Sequence, residues 1–303
     1  MGSAKRKVAC VSITLLDGGM GQELIRRSGQ PPTPLWSTQV MRDRPDLVQD
    51  IHADYFAAGA DIATTNTYAI HHDRLAGTGA EDEFENLHRT ALDLALRARD
   101  THGRGQVIGS IGPLGASYRP DLLPSHAEAV DLTAEIARLL APDCDAILIE
   151  TVVSVAQTRA MLEGALGHGA PVWVAFSVDD EDGTRLRSGE PLANAVAQCG
   201  GADAVLANCS APEVMPDALD ILAQAAKPTG AYANAFTQIT KDFLADKPTV
   251  DALTARRDLG PAAYADHAEI WRARGATLIG GCCETGPDHI RELAHRFRQE
   301  HAA

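Results

Sequence analysis

The sequence predicts an α/β protein built as a single (β/α)8 TIM barrel spanning residues 1–303, on three observations. Eight short apolar segments of strand character recur along the chain. Each leads into a helical pattern or a loop toward one, and no linker or shift in composition divides the series. A doubly wound open sheet is the alternative, but it leaves two or three of the segments without a place.

The segments are residues 13–19, 61–67, 106–113, 146–151, 171–178, 202–209, 228–234 and 276–283. Runs such as AILIE and VWVAF are apolar on nearly every consecutive residue, the pattern of strands covered on both faces. Between them lie helical stripes, Leu47, Ile51 and Tyr55 in one and Leu132, Ile136, Leu139 and Leu140 in another. Two helix starts carry the capping-box spacing, Ser125 before Glu128 and Ser154 before Gln157. No internal sequence repeat stands out, and residues 1–11 are expected to form a disordered N-terminal segment.

Composition excludes several function classes. With 45% hydrophobic and 22% charged residues the chain is an ordinary globular one, and no apolar run reaches the roughly 20 residues of a membrane helix. The basic start Ala4-Lys5-Arg6-Lys7 is not followed by a secretory apolar region, so the expected compartment is the cytoplasm. A net charge of −14, without clustered Lys and Arg beyond that start, argues against nucleic acid as a partner. Six cysteines are too few for a disulfide scaffold of this length.

The barrel reading also locates the chemistry, because enzymes of this architecture place their sites at the C-terminal ends of the strands. Asp17, Gly18 and Gly19 end the first segment, Thr64 to Tyr68 the second, GSIGPLG the third and Glu150-Thr151 the fourth. Asn208-Cys209 end the sixth, and Gly281-Cys282-Cys283 the eighth. Cys10, Cys144 and Cys199 read as small buried hydrophobes, with Cys144 at the opposite end of the barrel. Cys209, Cys282 and Cys283 share one rim and match a zinc site with three protein ligands and an open fourth position. Sulfur ligands favour Zn2+ over magnesium or manganese, while iron and copper(I) share the preference. A buried thiol pair beside a glycine turn is the plain alternative. A redox dithiol would more usually be spaced Cys-x-x-Cys, and adjacent Cys282 and Cys283 are poorly placed to bond each other.

The order LDGGMGQEL, TTNTY, GSIGPLG, IET, RSGEPL, NCS, GGCC and PDHI resembles the homocysteine S-methyltransferase family from about Leu15 to Leu293. The resemblance implies a zinc ion on Cys209, Cys282 and Cys283 that binds the homocysteine sulfur. It also implies a clamp on the substrate ammonium made by Glu150, with Asp17, Gly18 and Gly19 approaching through backbone atoms. Thr67 is expected among the substrate-binding residues. The methyl donor is expected to be a small sulfonium or quaternary ammonium compound held by the aromatic faces of Trp36 and Tyr68, with Tyr118 and Phe236 behind them. LWS at 35–37 resembles the S-methylmethionine-using branch. AYANAF from Ala231 departs from the Tyr-Pro-Asn of relatives. The acidic stretch DDEDGTRLRSGEP reads as a solvated loop.

Length leaves no room for the folate and cobalamin modules of methionine synthase, so the expected partners are homocysteine and a methyl donor. A monomer or small homo-oligomer is expected, with no membrane association. A catabolic demethylase using homocysteine as acceptor and a non-catalytic zinc-binding or thiol-binding barrel are the competing functions. The Glu150 clamp discriminates against the last, which has no use for an amino-acid site.

Overall fold

The structure, a computed structural model, describes residues 12–29, 35, 37–236 and 255–299; the expectation for residues 1–11 falls outside them. Eight parallel strands form one sheet: β1 (Thr14–Leu15), β2 (Ile62–Thr64), β3 (Gln106–Ile111), β4 (Ala146–Val152), β5 (Val172–Phe176), β6 (Ala204–Asn208), β7 (Thr229–Tyr232) and β8 (Leu278–Ile279). Each lies within, or one residue beyond, an apolar segment read from the sequence. Neighbours pair in chain order from β2 to β8, and β1 returns to β8 with Thr14 opposite Leu278 and Leu15 opposite Ile279. The barrel is therefore nearly closed, and the (β/α)8 expectation holds.

Helices surround it. After β1 come α1 (Met20–Ser28), α2 (Ser37–Asp43) and α3 (Pro45–Ala58), and after β2 come α4 (His72–Leu75) and α5 (Phe84–His102). The remaining strands are followed by α6 (His126–Leu140), α7 (Val155–Ala165), α8 (Leu192–Val196), α9 (Met215–Leu222), α10 (Pro261–Ala273) and α11 (Pro287–Gln299) in turn. Both expected caps form: Ser125 Oγ accepts from the Glu128 N–H at 3.4 Å and Ser154 Oγ from the Gln157 N–H at 3.1 Å. At the second, Gln157 Oε1 reaches back to the Val153 N–H rather than to that of Ser154. No helix of the described residues is long and apolar enough to cross a membrane.

Strand alternation separates two cores. Ile62, Ile108, Leu148, Ala175 and Leu206 pack together inside the barrel, whereas Val107, Ile147, Ile149, Val174 and Val205 pack with the helices. The N-terminal end is tied by a device used three times. Asp61, Asp145 and Asp203 stand just before β2, β4 and β6, and their N–H groups donate to the carbonyls of Leu15, Val107 and Val172. Their carboxylates accept in return from the N–H groups of the same three residues at 2.9, 2.8 and 2.8 Å. Before β8 a threonine takes the place: the Thr277 N–H and hydroxyl both donate to the Thr229 carbonyl. Gly-Ala-Asp at 59–61 and 201–203 and Gly-Ala-Thr at 275–277 are the traces of this repeat in the sequence, hidden by their unequal spacing.

Candidate metal and substrate site

The three rim thiols converge. Cys209 leaves the end of β6 and Cys282 and Cys283 follow β8, with all three Sγ atoms within 4.8 Å of one another. Thiolates about 2.3 Å from one tetrahedral zinc stand under 4 Å apart, so the cluster has nearly the spread that such an ion spans. Here the Cys209 and Cys282 sulfurs are joined as a disulfide with Cα atoms 5.7 Å apart, and Cys283 is free. The three positions expected from the sequence to share a metal are thus the ones that meet. The disulfide joins residues 73 apart in sequence, a pairing that no local spacing announces.

Four glycines let the two loops meet. A Cβ at Gly18 would lie 2.4 Å from the Thr285 carbonyl oxygen, one at Gly19 2.6 Å from that of Cys282, and one at Gly281 2.0 Å from Thr285 Oγ1. At Gly280 it would lie 2.5 Å from Leu16 Cβ. None of the four has a left-handed φ, so close approach, not turn geometry, requires glycine here. The Gly19 N–H donates to the Thr285 carbonyl at 2.8 Å, and the Tyr55 hydroxyl reaches the carbonyls of both Gly19 and Thr285.

All three cysteines line a cavity of about 120 Å³. Its described lining includes two carboxylates, Asp17 and Glu150, and no Lys, Arg or His. Glu150 sits at the end of β4, 9% exposed, where Ser110 Oγ donates to Oε1 and the Tyr232 hydroxyl to Oε2 at 2.9 Å. Burial raises its pKa, and those two donors oppose the rise. Asp17 is pushed up to about 7, chiefly by burial and further by the Glu150 charge. Its carboxylate accepts from the Thr64 N–H at 2.7 Å and the Thr64 hydroxyl at 2.9 Å, closing the β1/β2 seam at the upper end. Two buried carboxylates without a counter-ion form a site for a cation.

The thiols face the same shortage of positive charge. Burial pushes the Cys283 thiol up to about 12. The buried Gln22 side chain faces that thiol and opposes the rise, a donor suited to a thiolate or a ligand atom there. A divalent ion between three cysteines would supply the missing charge, and the donor set suits a soft metal.

Aromatic rings complete the wall: Tyr68, Tyr118, Tyr232 and Phe236 all line the cavity. Gly18, Gly19 and Thr151 line it too. Thr67 does not; it is buried behind the wall, where its hydroxyl meets Thr65 Oγ1 at 2.7 Å and donates to the Ser110 carbonyl at 2.6 Å. Trp36 lies outside the described residues. Ser110 and Tyr232 escaped the sequence reading as partners of Glu150, although both stand in motifs it quoted.

The loop 179–191 is largely solvated, as its charge suggested, but one ion pair in it turns inward. Arg187 is nearly buried, pairs with Asp180 at 2.9 Å, donates to the Cys209 carbonyl at 3.2 Å and stands 4.9 Å from the Tyr118 ring centre. That pair packs behind Cys209, while Glu181 and the Asp182–Arg185 pair of the same loop stay exposed to solvent.

Comparison with known proteins agrees with this geometry. The family model described as homocysteine S-methyltransferase matches residues 14–297. The homocysteine S-methyltransferase of Escherichia coli is 30% identical over 310 residues, covering 94% of this chain and 95% of that protein. Homocysteine S-methyltransferase YbgG of Bacillus subtilis is 28% identical over 93% of each. Among solved structures, the metallated form of the E. coli homocysteine methyltransferase MmuM superposes with a TM-score of 0.79 at 29% identity, covering 94% of this chain and 96% of that one. Its oxidized form superposes with the same score.

Proposed function

The chain belongs to the homocysteine S-methyltransferase family, and on that premise we propose that it methylates the thiol of L-homocysteine to give methionine, holding Zn2+ on Cys209, Cys282 and Cys283. The proposed donor is a small sulfonium or quaternary ammonium compound, S-methylmethionine first. The observation that carries the reading is the juxtaposition, in one cavity, of three convergent thiols with two buried carboxylates that lack a cation.

Zinc bound there would stabilise a substrate thiolate near neutral pH, where a free thiol with a pKa of about 8.5 is mostly protonated. The protein's own groups do the rest. Glu150, held by Ser110 and Tyr232, takes the homocysteine ammonium, with Asp17 lending further negative charge. The substrate carboxylate is assigned to the start of α1, whose N-cap residue Gly19 offers no side-chain cap and whose first residues line the cavity. Tyr68, Tyr118 and Phe236 face a donor cation with their rings. The homocysteine sulfur attacks the methyl carbon in line. A new carbon–sulfur bond forms, the bond to the donor heteroatom breaks with its electron pair leaving on that atom, and the thiol proton goes to solvent.

A disulfide sulfur offers no thiolate, so the metal-binding form is the reduced one. Support for metal binding comes from the thiol cluster and from the metallated form of MmuM. A non-catalytic metal store would have no use for the Glu150 clamp.

The test supplies homocysteine with S-methylmethionine, S-adenosylmethionine, glycine betaine, dimethylsulfoniopropionate or methyltetrahydrofolate under reducing conditions and measures methionine. The expected result is product from the onium donors, most from S-methylmethionine; none from any donor would overturn the proposal.

A further inference from the structure

Resting on that reading of the two half-sites, we propose that Asn208 is a positioning residue that couples the ammonium clamp to the metal ligands. Its fully buried side chain joins the two elements that carry them. Oδ1 accepts from the Thr151 N–H at 3.1 Å, and Nδ2 donates to Thr151 Oγ1 at 3.0 Å. Both polar ends of the amide are thus spent on one residue, and that residue directly follows Glu150.

Thr151 needs such support. It has φ 58°, a left-handed conformation that a β-branched side chain adopts only under constraint. The β4/β5 register shifts between Ile149 and Val152, so the chain bulges just where Glu150 enters the cavity. Asn208 fastens this bulge from β6, across the intervening β5, which presents the small Ala175 to the barrel interior.

The other end of Asn208 is the metal side. It is the residue before Cys209, which also has a left-handed φ, 48°. Asn208 pairs in the sheet with Tyr232, whose hydroxyl donates to Glu150 Oε2 at 2.9 Å. Two routes therefore link Glu150 to the backbone that aims Cys209, one through Thr151 and the Asn208 amide, one through Tyr232. Loss of the amide leaves the Thr151 N–H buried and unpaired beside a strained bulge. The carboxylate and the thiol then both lose their fixed placement.

The test uses the reduced, zinc-loaded full chain and reads two quantities: KM against kcat for homocysteine, and the rate at which zinc passes to a chelator. Asn208→Ala is expected to raise KM about tenfold with a smaller change in kcat, and to speed zinc release about tenfold, as loss of a buried amide's bonds implies. Thr151→Val supplies no metal ligand in either form, yet is expected to raise KM similarly and to speed zinc release at least about threefold. Thr151→Ser keeps the hydroxyl and should leave both quantities within about twofold. The double variant Asn208→Ala/Thr151→Val should be no worse than Asn208→Ala alone, because both act through one pair.

Zinc release unchanged in Thr151→Val, or effects that multiply in the double variant, would overturn the coupling. If Asn208→Ala does not fold, the Thr151→Val and Thr151→Ser pair decides the matter. A wild-type chain that holds zinc but methylates homocysteine from no donor overturns the function reading alone, since zinc release still reports the coupling. A wild-type chain that holds no zinc overturns both.

Discussion

The two ends of the barrel use similar residues to opposite ends. At the N-terminal end, the partly or fully exposed carboxylates of Asp61, Asp145 and Asp203 each accept a backbone hydrogen bond while the same residue's N–H donates one, so these charges are both hydrogen-bonded and within reach of water. At the C-terminal end, Asp17 and Glu150 carry carboxylates whose pKa values burial raises. Four of the five non-glycine residues with a left-handed φ among those described, Tyr118, Thr151, Cys209 and Glu284, also lie toward that end. Cysteines divide likewise. Cys144, near the N-terminal end, is a mostly buried thiol pushed up to about 12 and belongs to no cysteine cluster among the described residues; at the other end three thiols meet. The lesson is that satisfied polar groups close the fold, while strained and unsatisfied ones mark where a ligand is expected to complete it.

Glycine substitutions break this contrast most sharply. Gly281→Ala puts a methyl group 2.0 Å from Thr285 Oγ1 and is expected to disorder the paired-cysteine turn, abolishing metal retention and methionine formation. Gly200→Ala, near the start of β6, meets nothing within 4 Å and should change stability by no more than about 0.5 kcal/mol. Metal analysis and a denaturation curve on each variant check both statements.

Carboxylates give the next largest effect. Glu150→Gln should raise the homocysteine KM by about tenfold or more, because a buried charge pair with the ammonium is lost, while zinc stays bound. Zinc loss instead would move Glu150 into the metal shell. At the other end, Asp145→Ala orphans the Val107 N–H and should cost about 1–3 kcal/mol of stability, read from a urea midpoint, with turnover per folded molecule unchanged.

The smallest expected effect is in pH. Burial lowers His52 and His88 to about 4 and His71 well below its ordinary value. Their unfolded values lie near 6.5, so their contribution is complete above about pH 6.5 and is lost as pH falls toward 4. Asp17 has the opposite sign: raised from 3.8 to about 7, its contribution is present below pH 3.8 and is lost as pH rises through 7. Stability should therefore climb from pH 4 to 6.5, where the three histidines outweigh Asp17 and Glu150, and then decline slightly. Thermal melts of Asp17→Asn should show less of that final decline.

Much of this was legible in the sequence because it rests on local pattern. The strands are short apolar runs bounded by Gly, Pro and Asp, and the paired cysteines with their flanking glycines sit at a strand end that the barrel rule makes functional. The partners of Glu150 were not legible. Ser110 and Tyr232 reach it from β3 and β7, 40 and 82 residues away, and nothing in either neighbourhood names the carboxylate they share. Asn208 was placed on the rim, but its bond to Thr151 spans 57 residues. In the largely solvated loop 179–191, a count of charges does not reveal that Arg187 and Asp180 pair beside Cys209.

The proposed reaction rests on Cys209, Cys282 and Cys283 together holding the metal on which methyl transfer depends. The direct measurement is metal content and methionine formation, for the chain purified under reductant and for Cys209→Ala, Cys282→Ala and Cys283→Ala. About one zinc per wild-type chain is expected, lost together with activity in each variant. A metal-free wild-type protein, with variants that still methylate homocysteine, would contradict it.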